Sequence, residues 1–301
     1  MNKDIKFVFF GTPIVASRTL DILAQNGYVP SLIITSPDKP AGRGLHLTPS
    51  PVSIWAEKNN IPCLKPEKIT PEFIEQLSSG MPRGSSVSES LCGMPRGSTP
   101  VDLYVVVAYG KILPQSLIDL PKLGTINIHY SLLPKYRGAS PLEACLLNGD
   151  EITGASIQQM AFKLDSGPIL ADKEIPIDIK ETKENLRDKL IELGGNLLCE
   201  TIPKILDQSI TPRIQDDTKA THCGKIDKED GEIDPDGDAT SNWNKYRAFY
   251  GWPGTYFFAL KHDKKIRVKI KEAIFENGLF IIKKVTPEGK KEINYEEFKR
   301  Y

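Results

Sequence analysis

The chain has 301 residues, of which 40% are hydrophobic and 26% are charged, and its formal net charge at pH 7 is zero. This composition is typical of a globular protein with one large domain or two smaller ones. A net charge of zero excludes a protein-wide positive field as the basis of nucleic-acid binding. No apolar run approaches the ~20 residues that span a bilayer, so we expect no membrane association.

The N-terminus and the cysteines bear on the cellular compartment. The first residues, MNKDIKFVFFG, lack the apolar core and cleavage site of a signal peptide, so we expect a cytoplasmic protein. The five cysteines, at positions 63, 92, 145, 199 and 223, include no C-x-x-C pair. This spacing predicts neither a disulfide framework nor a zinc site.

Strand-like and helix-like segments alternate in the first half of the chain. The predicted strands are 5–11, 29–36, 101–110 and 124–130, and the predicted helices are 15–27 and 50–60, the latter with Ser50 as its cap. The alternation predicts an α/β fold with a doubly wound, Rossmann-like parallel sheet. Functional sites on such sheets lie at the carboxyl ends of the strands.

The second half of the chain has a different order of predicted elements. A helix over 140–148, two β segments over 152–162 and 168–177, and a long helix over 182–206 complete the first predicted domain, residues 1–206. A polar linker over 207–222 leads to a small, mostly β domain over 223–301. Its last part, residues 261–301, has 12 basic and 7 acidic residues, which favours contact with phosphates or forms an ordinary solvated surface.

One segment fits neither predicted domain. Residues 80–98 contain the hexamer GMPRGS twice, at 80–85 and 93–98, and are rich in Ser and Gly. The segment has too little apolar surface to fold alone, and two copies are too few for a solenoid. We interpret it as a flexible insertion into the first domain.

The stretch INIHYSLLPKYRGASP, residues 126–141, carries the first candidate catalytic groups. Asn127 and His129 are two residues apart on a predicted strand, so their side chains share one face. An amide donor beside an imidazole can stabilise an oxyanion and transfer a proton. A histidine in such a place is more often structural, and His129 alone does not decide between a catalytic and a structural role.

A carboxylate further along the chain strengthens the catalytic interpretation. Asp165 lies in the turn Leu-Asp-Ser-Gly that follows an alternating strand. A carboxylate on such a turn can approach an imidazole across the mouth of a sheet and orient it. The alternative is a simple turn-forming aspartate.

Several motifs together resemble one enzyme family. The pattern G-x-x-N-x-H-x-S-L-L-P-x-x-R-G-A-x-P begins at Gly124 and is followed by T-G and L-D-S-G. Further motifs are FFGTP (9–13), SPDKPAGRGLHLTPSPV (36–52), VVVAYGKILP (105–114) and RAFYGWPGTY (247–256). As a set they resemble the folate-dependent formyltransferases over nearly the whole chain, most closely the branch that acts on methionyl initiator tRNA.

The resemblance implies a reaction and roles for named residues. A formyl group would pass from 10-formyltetrahydrofolate to an amine without a metal. Asn127 and His129 would hold the oxyanion, and Asp165 would keep His129 in its useful ionisation state. The turn Ser131, Leu132, Leu133 and Pro134 would line the folate site.

The resemblance also implies the acceptor. Lys39 and Arg43 lie on the loop that enters the acceptor end of the tRNA in this branch, and the basic C-terminal domain, OB-like but shorter than in the family, would add tRNA contacts. We expect a monomer. Two alternatives stay open: a sugar-nucleotide N-formyltransferase, which is expected to lack the basic loop, and a non-catalytic RNA-binding module. A glycinamide-ribonucleotide formyltransferase would not need the second domain.

Overall fold

The computed structural model describes residues 5–41, 46–79, 101–261 and 263–300, without the side chains of Ala41 and Ser79. The predicted insertion at 80–98 and Arg43 therefore lie outside the described residues. The chain divides into two compact units. The first comprises Met1–Lys135, Gly154–Lys173 and Leu190–Ala220, and the second comprises Tyr136–Thr153, Glu174–Lys189 and Thr221–Tyr301.

The elements follow the predicted alternation closely. The strands are β1 Phe7–Gly11, β2 Leu32–Ile34, β3 Lys39–Ala41, β4 His46–Thr48, β5 Cys63–Leu64, β6 Leu103–Val107, β7 Thr125–His129, β8 Arg137–Gly138, β9 Ile152–Gln159, β10 Ile169–Pro176, β11 His222–Cys223, β12 Tyr256–Lys261, β13 Lys264–Glu276, β14 Leu279–Pro287 and β15 Ile293–Asn294. The helices are α1 Ile14–Gln25, α2 Pro51–Lys58, α3 Pro71–Ser79, α4 Gln115–Ile118, α5 Pro141–Leu147, α6 Lys183–Leu206, α7 Ala239–Ala248 and α8 Tyr295–Arg300. Short 3₁₀ turns lie at Asp217–Lys219 and Glu229–Gly231.

A seven-stranded sheet in the order β10-β9-β7-β6-β1-β2-β5 organises the first unit. Five neighbouring strands, β7, β6, β1, β2 and β5, are parallel, which confirms the predicted parallel α/β sheet. Strand β9 pairs with β7 in the antiparallel direction, and an antiparallel edge on a parallel sheet is common. This pairing places residues of β9 directly opposite those of β7.

Both faces of the parallel strands are covered by apolar side chains. One face packs Phe7, Phe9, Val105 and Ile128 with residues of α1, α2 and the part of α6 from residue 190 onward. The other packs Val8, Phe10, Tyr104 and Val106 with residues of α3 and α4. Burial on both faces explains why β1 and β6 are continuous apolar runs instead of alternating ones.

Helix α6 passes through Gly194 and Gly195 without a break. These glycines have a packing role, because a Cβ on Gly194 would lie 3.0 Å from Ile128 Cγ2 and one on Gly195 would lie 2.7 Å from Ile22 Cδ1. The helix can therefore approach the sheet and α1 closely. The predicted cap of α2 is also present, since Ser53 N donates to Ser50 Oγ at 3.0 Å.

The second unit has its own small sheet and core. Strands β12, β13, β14 and β15 form an antiparallel sheet, packed with α7 and α8 around Trp243, Tyr246, Phe257, Val268 and Val285. The predicted small β-rich region is therefore confirmed. Among the described residues, its main sheet has four strands, whereas a complete OB fold has five. Every helix in the described ranges is too short or too polar to cross a bilayer.

Candidate active site

Strand β7 presents Asn127 and His129 at the carboxyl end of the parallel sheet. Their neighbours Ile126 and Ile128 are buried in the apolar cluster on the opposite face of the strand, as the two-residue period requires. Asn127 Nδ2 donates to the Val106 carbonyl oxygen of the adjacent strand at 3.1 Å. One amide hydrogen of Asn127 is thus used to fix the side chain on the sheet.

Asp165 lies beside His129, although 36 positions separate them in the chain. The distance from His129 Nδ1 to Asp165 Oδ2 is 3.7 Å, within the range of an ion pair when the imidazole is protonated. The two side chains are 7% and 13% exposed, so little water screens their interaction. The structure therefore brings together the three side chains that the sequence singled out.

A tight turn holds Asp165 in place. Asp165 has a φ of +49°, in the left-handed region that a turn tolerates for aspartate. Gln215 Nε2 donates to the Asp165 carbonyl oxygen at 2.9 Å and to the Gly167 carbonyl oxygen at 2.7 Å. Gly167 has no room for a side chain, since a Cβ there would lie 1.7 Å from the Gln159 carbonyl oxygen. Gln215, in the predicted linker, was not identified from the sequence.

Gln158 links two of the candidate catalytic residues and was also missed. It lies directly opposite Asn127 in the β7–β9 register and is 2% exposed. Its Nε2 donates to Asn127 Oδ1 at 3.2 Å and to Asp165 Oδ1 at 2.9 Å. Its Oε1 is buried and has no hydrogen-bond partner among the described residues. A burial that leaves this acceptor unpaired costs about 1–3 kcal/mol.

The turn Ser131–Pro134 continues from the end of β7. Ser156, which lies opposite His129 in the register, accepts a hydrogen bond from Leu133 N at 3.1 Å and donates to the Ser131 carbonyl oxygen at 2.7 Å. Ser131 and Leu133 are buried, and Leu132 and Pro134 are half-buried. The turn is thereby tied to the sheet next to His129 and offers apolar side chains.

Further polar groups follow the ends of β1, β2 and β6. Thr12 Oγ1 donates to the Tyr109 carbonyl oxygen at 3.2 Å and lies 3.1 Å from Ser36 Oγ. The Tyr109 hydroxyl is buried without a partner among the described residues. Burial raises the pKa of Tyr109 to about 12, so this hydroxyl is a neutral donor at pH 7.

The predicted basic loop is a β-hairpin in its described part. Strands β3 and β4 pair Lys39 with Thr48, a feature that the Pro/Gly-rich composition did not predict. Lys39 is exposed. Burial, together with the charge of Lys39, lowers the pKa of Lys111, and the charge of Glu67 opposes that shift. Lys111 Nζ donates to the Pro66 and Glu67 carbonyl oxygens at 2.5 and 2.7 Å.

No group of three or more His, Cys, Asp or Glu side chains in the described part of the chain could hold a metal ion. The candidate site consists of an amide, an imidazole, a carboxylate and backbone groups. Such a set can polarise a carbonyl group and move a proton.

Comparison with known proteins identifies relatives over most of the chain. A family model described as formyl transferase matches residues 5–202, and one described as formyl transferase, C-terminal domain, matches residues 225–280. The chain is 39% identical to the methionyl-tRNA formyltransferase of Citrifermentans bemidjiense, over 88% of this chain and 77% of the relative. It is 41% identical to that of Thermotoga maritima, over 84% of this chain and 75% of the relative.

Solved structures show a shared fold. The chain is similar to an N-formyltransferase from Helicobacter canadensis, determined in complex with folinic acid and dTDP-3-aminofucose, with a TM-score of 0.60 and 17% identity. The match covers 96% of this chain and 98% of that structure.

Proposed function

This chain belongs to the formyltransferase family, and from that membership we propose that it transfers a formyl group from 10-formyltetrahydrofolate to the α-amine of methionyl initiator tRNA. The observation that carries the proposal is the 39% identity with a methionyl-tRNA formyltransferase over 88% of the chain. The convergence of Asn127, His129 and Asp165 supports it, because acyl transfer to an amine requires a hydrogen-bond donor for the oxyanion and a group that moves a proton.

Asn127 and His129 act on the reacting carbonyl group. Asn127 uses one amide hydrogen for Val106 and presents the other to the oxygen that gains negative charge when the amine attacks. Loss of one such donor costs ~10²–10³ in rate. His129 supplies a second polar hydrogen and moves the proton that the amine loses to N10 of the donor, which leaves as tetrahydrofolate when its bond to the formyl carbon breaks. Asp165, on the Nδ1 side of the ring, orients the imidazole.

The residues fit a folate-derived formyl donor, which supplies the activated formyl group. The turn Ser131, Leu132, Leu133 and Pro134 combines apolar side chains with backbone groups held by Ser156. The buried Tyr109 hydroxyl lacks a partner among the described residues, as expected where a polar heterocycle binds. Pterin rings need both apolar contact and hydrogen bonds, so this set of residues is suitable.

Basic residues in both parts of the chain fit a tRNA acceptor. Lys39, together with Arg43 two residues after strand β3 ends at Ala41, provides cations for the phosphates of the acceptor end. In the second unit, Arg267 lies over the Tyr256 ring at 4.4 Å and Lys265 over the Phe258 ring at 4.2 Å. Such aromatic and basic pairs suit contact with RNA.

The remaining parts of the proposal concern organisation. Residues 1–206 form the catalytic domain, 207–222 the linker and 223–301 the tRNA-binding domain. The enzyme acts as a monomer in the cytoplasm, where its charged tRNA substrate is made.

The test offers the protein 10-formyltetrahydrofolate together with either methionyl initiator tRNA or an amino-sugar nucleotide and follows the formyl group. We expect N-formylmethionyl-tRNA as the product. Transfer to the sugar without transfer to the tRNA would contradict the proposal and support the sugar-nucleotide alternative. Binding of tRNA without transfer to either acceptor would support a non-catalytic RNA-binding role.

A further inference from the structure

Gln158 differs from an ordinary buried glutamine in the partners of its amide. Both hydrogens of Nε2 are used, one for Asn127 Oδ1 at 3.2 Å and one for Asp165 Oδ1 at 2.9 Å. Both acceptors belong to the proposed catalytic set. The side chain is 2% exposed, so its conformation is fixed by packing.

The two hydrogen bonds determine which atoms the catalytic residues present. Because Asn127 Oδ1 accepts from Gln158 and Nδ2 donates to Val106, the Asn127 amide has one allowed orientation. Because Asp165 Oδ1 accepts from Gln158, Oδ2 is the atom that faces His129 Nδ1, at 3.7 Å. Gln158 thus links the amide of Asn127 to the carboxylate that faces the imidazole.

We propose that Gln158 is a positioning residue for formyl transfer, acting through Asn127 and Asp165; this rests on the function proposed above. Methionine at this position would fill a similar volume without an unpaired buried oxygen. A residue selected for stability alone would therefore be apolar. The glutamine amide is explained by the two hydrogen bonds it donates.

Gln158→Met tests the proposal, and Gln159→Met is its matched control. Gln159 is the next residue on β9, and by the two-residue period its side chain lies on the other face of the strand. We expect Q158M to lower kcat ~10- to 100-fold with little change in either KM. We expect Q159M to keep the wild-type kcat. The melting temperatures of both variants establish that they fold, and Gln158→Leu replaces Q158M if the latter does not fold.

A double-mutant cycle separates positioning from a general structural effect. If Gln158 acts partly through the Asp165 carboxylate, Q158M should cost less kcat in an Asp165→Asn background than in the wild type. Full additivity of the two losses would contradict the inference, as would a wild-type kcat in Q158M.

NMR spectra of the protein without substrates test the role of Gln158 independently of the acceptor. The NMR signals of the Asn127 side-chain amide and the His129 imidazole should shift in Q158M and remain in place in Q159M. Unchanged signals in Q158M would contradict the positioning role. Failure of the wild-type protein to formylate tRNA would contradict the proposed function, while these signals would still decide the role of Gln158.

Discussion

The Nδ1 atom of His129 lies 3.7 Å from the Oδ2 atom of Asp165, and both side chains are largely buried. The imidazole comes from the last residue of β7, whereas the carboxylate comes from the turn between β9 and β10. Strand β9 runs antiparallel to β7 and ends at Gln159, opposite Ile126 near the start of β7. The turn that follows folds back along β9, where Asp165 accepts a hydrogen bond from Gln158 at 2.9 Å.

We expect His129→Ala to lower kcat for formyl transfer by ~10²–10⁴, because it removes a donor and the proton-transfer group. Asp165→Asn keeps the shape and loses the charge, and we expect a loss of ~10² or more. Steady-state kinetics measure both effects, with melting temperatures as evidence of folding. Asp217→Asn is the control, since Asp217 is exposed and pairs with Lys163. Near-normal turnover in either active-site variant would remove that residue from the mechanism.

Ser156→Ala should raise the KM for 10-formyltetrahydrofolate more than the KM for tRNA. The variant loses the hydrogen bonds to Leu133 N and to the Ser131 carbonyl oxygen, which tie the turn to the sheet. We expect a stability loss of about 1–3 kcal/mol and a higher KM for 10-formyltetrahydrofolate than in the wild type. Ser17→Ala is a matched control, since Ser17 is also buried and its hydroxyl donates to the Ile14 carbonyl oxygen in α1. Equal increases in the KM of both substrates would contradict the assigned role of the turn.

The sequence predicted the local part of the site and missed the part made by long-range pairing. The two-residue period placed Asn127 and His129 on one face, and the apolar runs of β1 and β6 indicated a sheet buried on both sides. Gln158 depends on the antiparallel register of β9, which composition does not specify. Gln215 depends on contacts with a turn about 50 residues earlier.

Lys39→Ala should weaken tRNA recognition through charge. Lys39 is exposed, so its ammonium group can reach a phosphate of the tRNA. We expect a higher KM for tRNA, a salt dependence of binding reduced by about one phosphate contact, and an unchanged KM for folate. Arg43→Ala should behave in the same way. Lys173→Ala is the control, since Lys173 is also exposed and lies 3.9 Å from Glu200. An unchanged salt slope in Lys39→Ala would mean that this hairpin does not contact phosphate.

Arg247→Met should destabilise the second unit. Arg247 is 2% exposed, and its guanidinium donates from Nε and Nη2 to Asn244 Oδ1 at 3.1 and 2.9 Å and from Nη1 to the Asp178 carbonyl oxygen at 3.3 Å. Burial lowers the pKa of Arg247, so these hydrogen bonds compensate for the desolvation of its charge. Their loss leaves buried acceptors unpaired, and we expect the free energy of unfolding to fall by about 3 kcal/mol.

Arg213→Met is the control, because the Arg213 side chain is 62% exposed and pairs with Asp172, which limits the expected loss to about 1 kcal/mol. Denaturant titration measures both, and equal losses in the two variants would show that burial of Arg247 carries no special stabilising role.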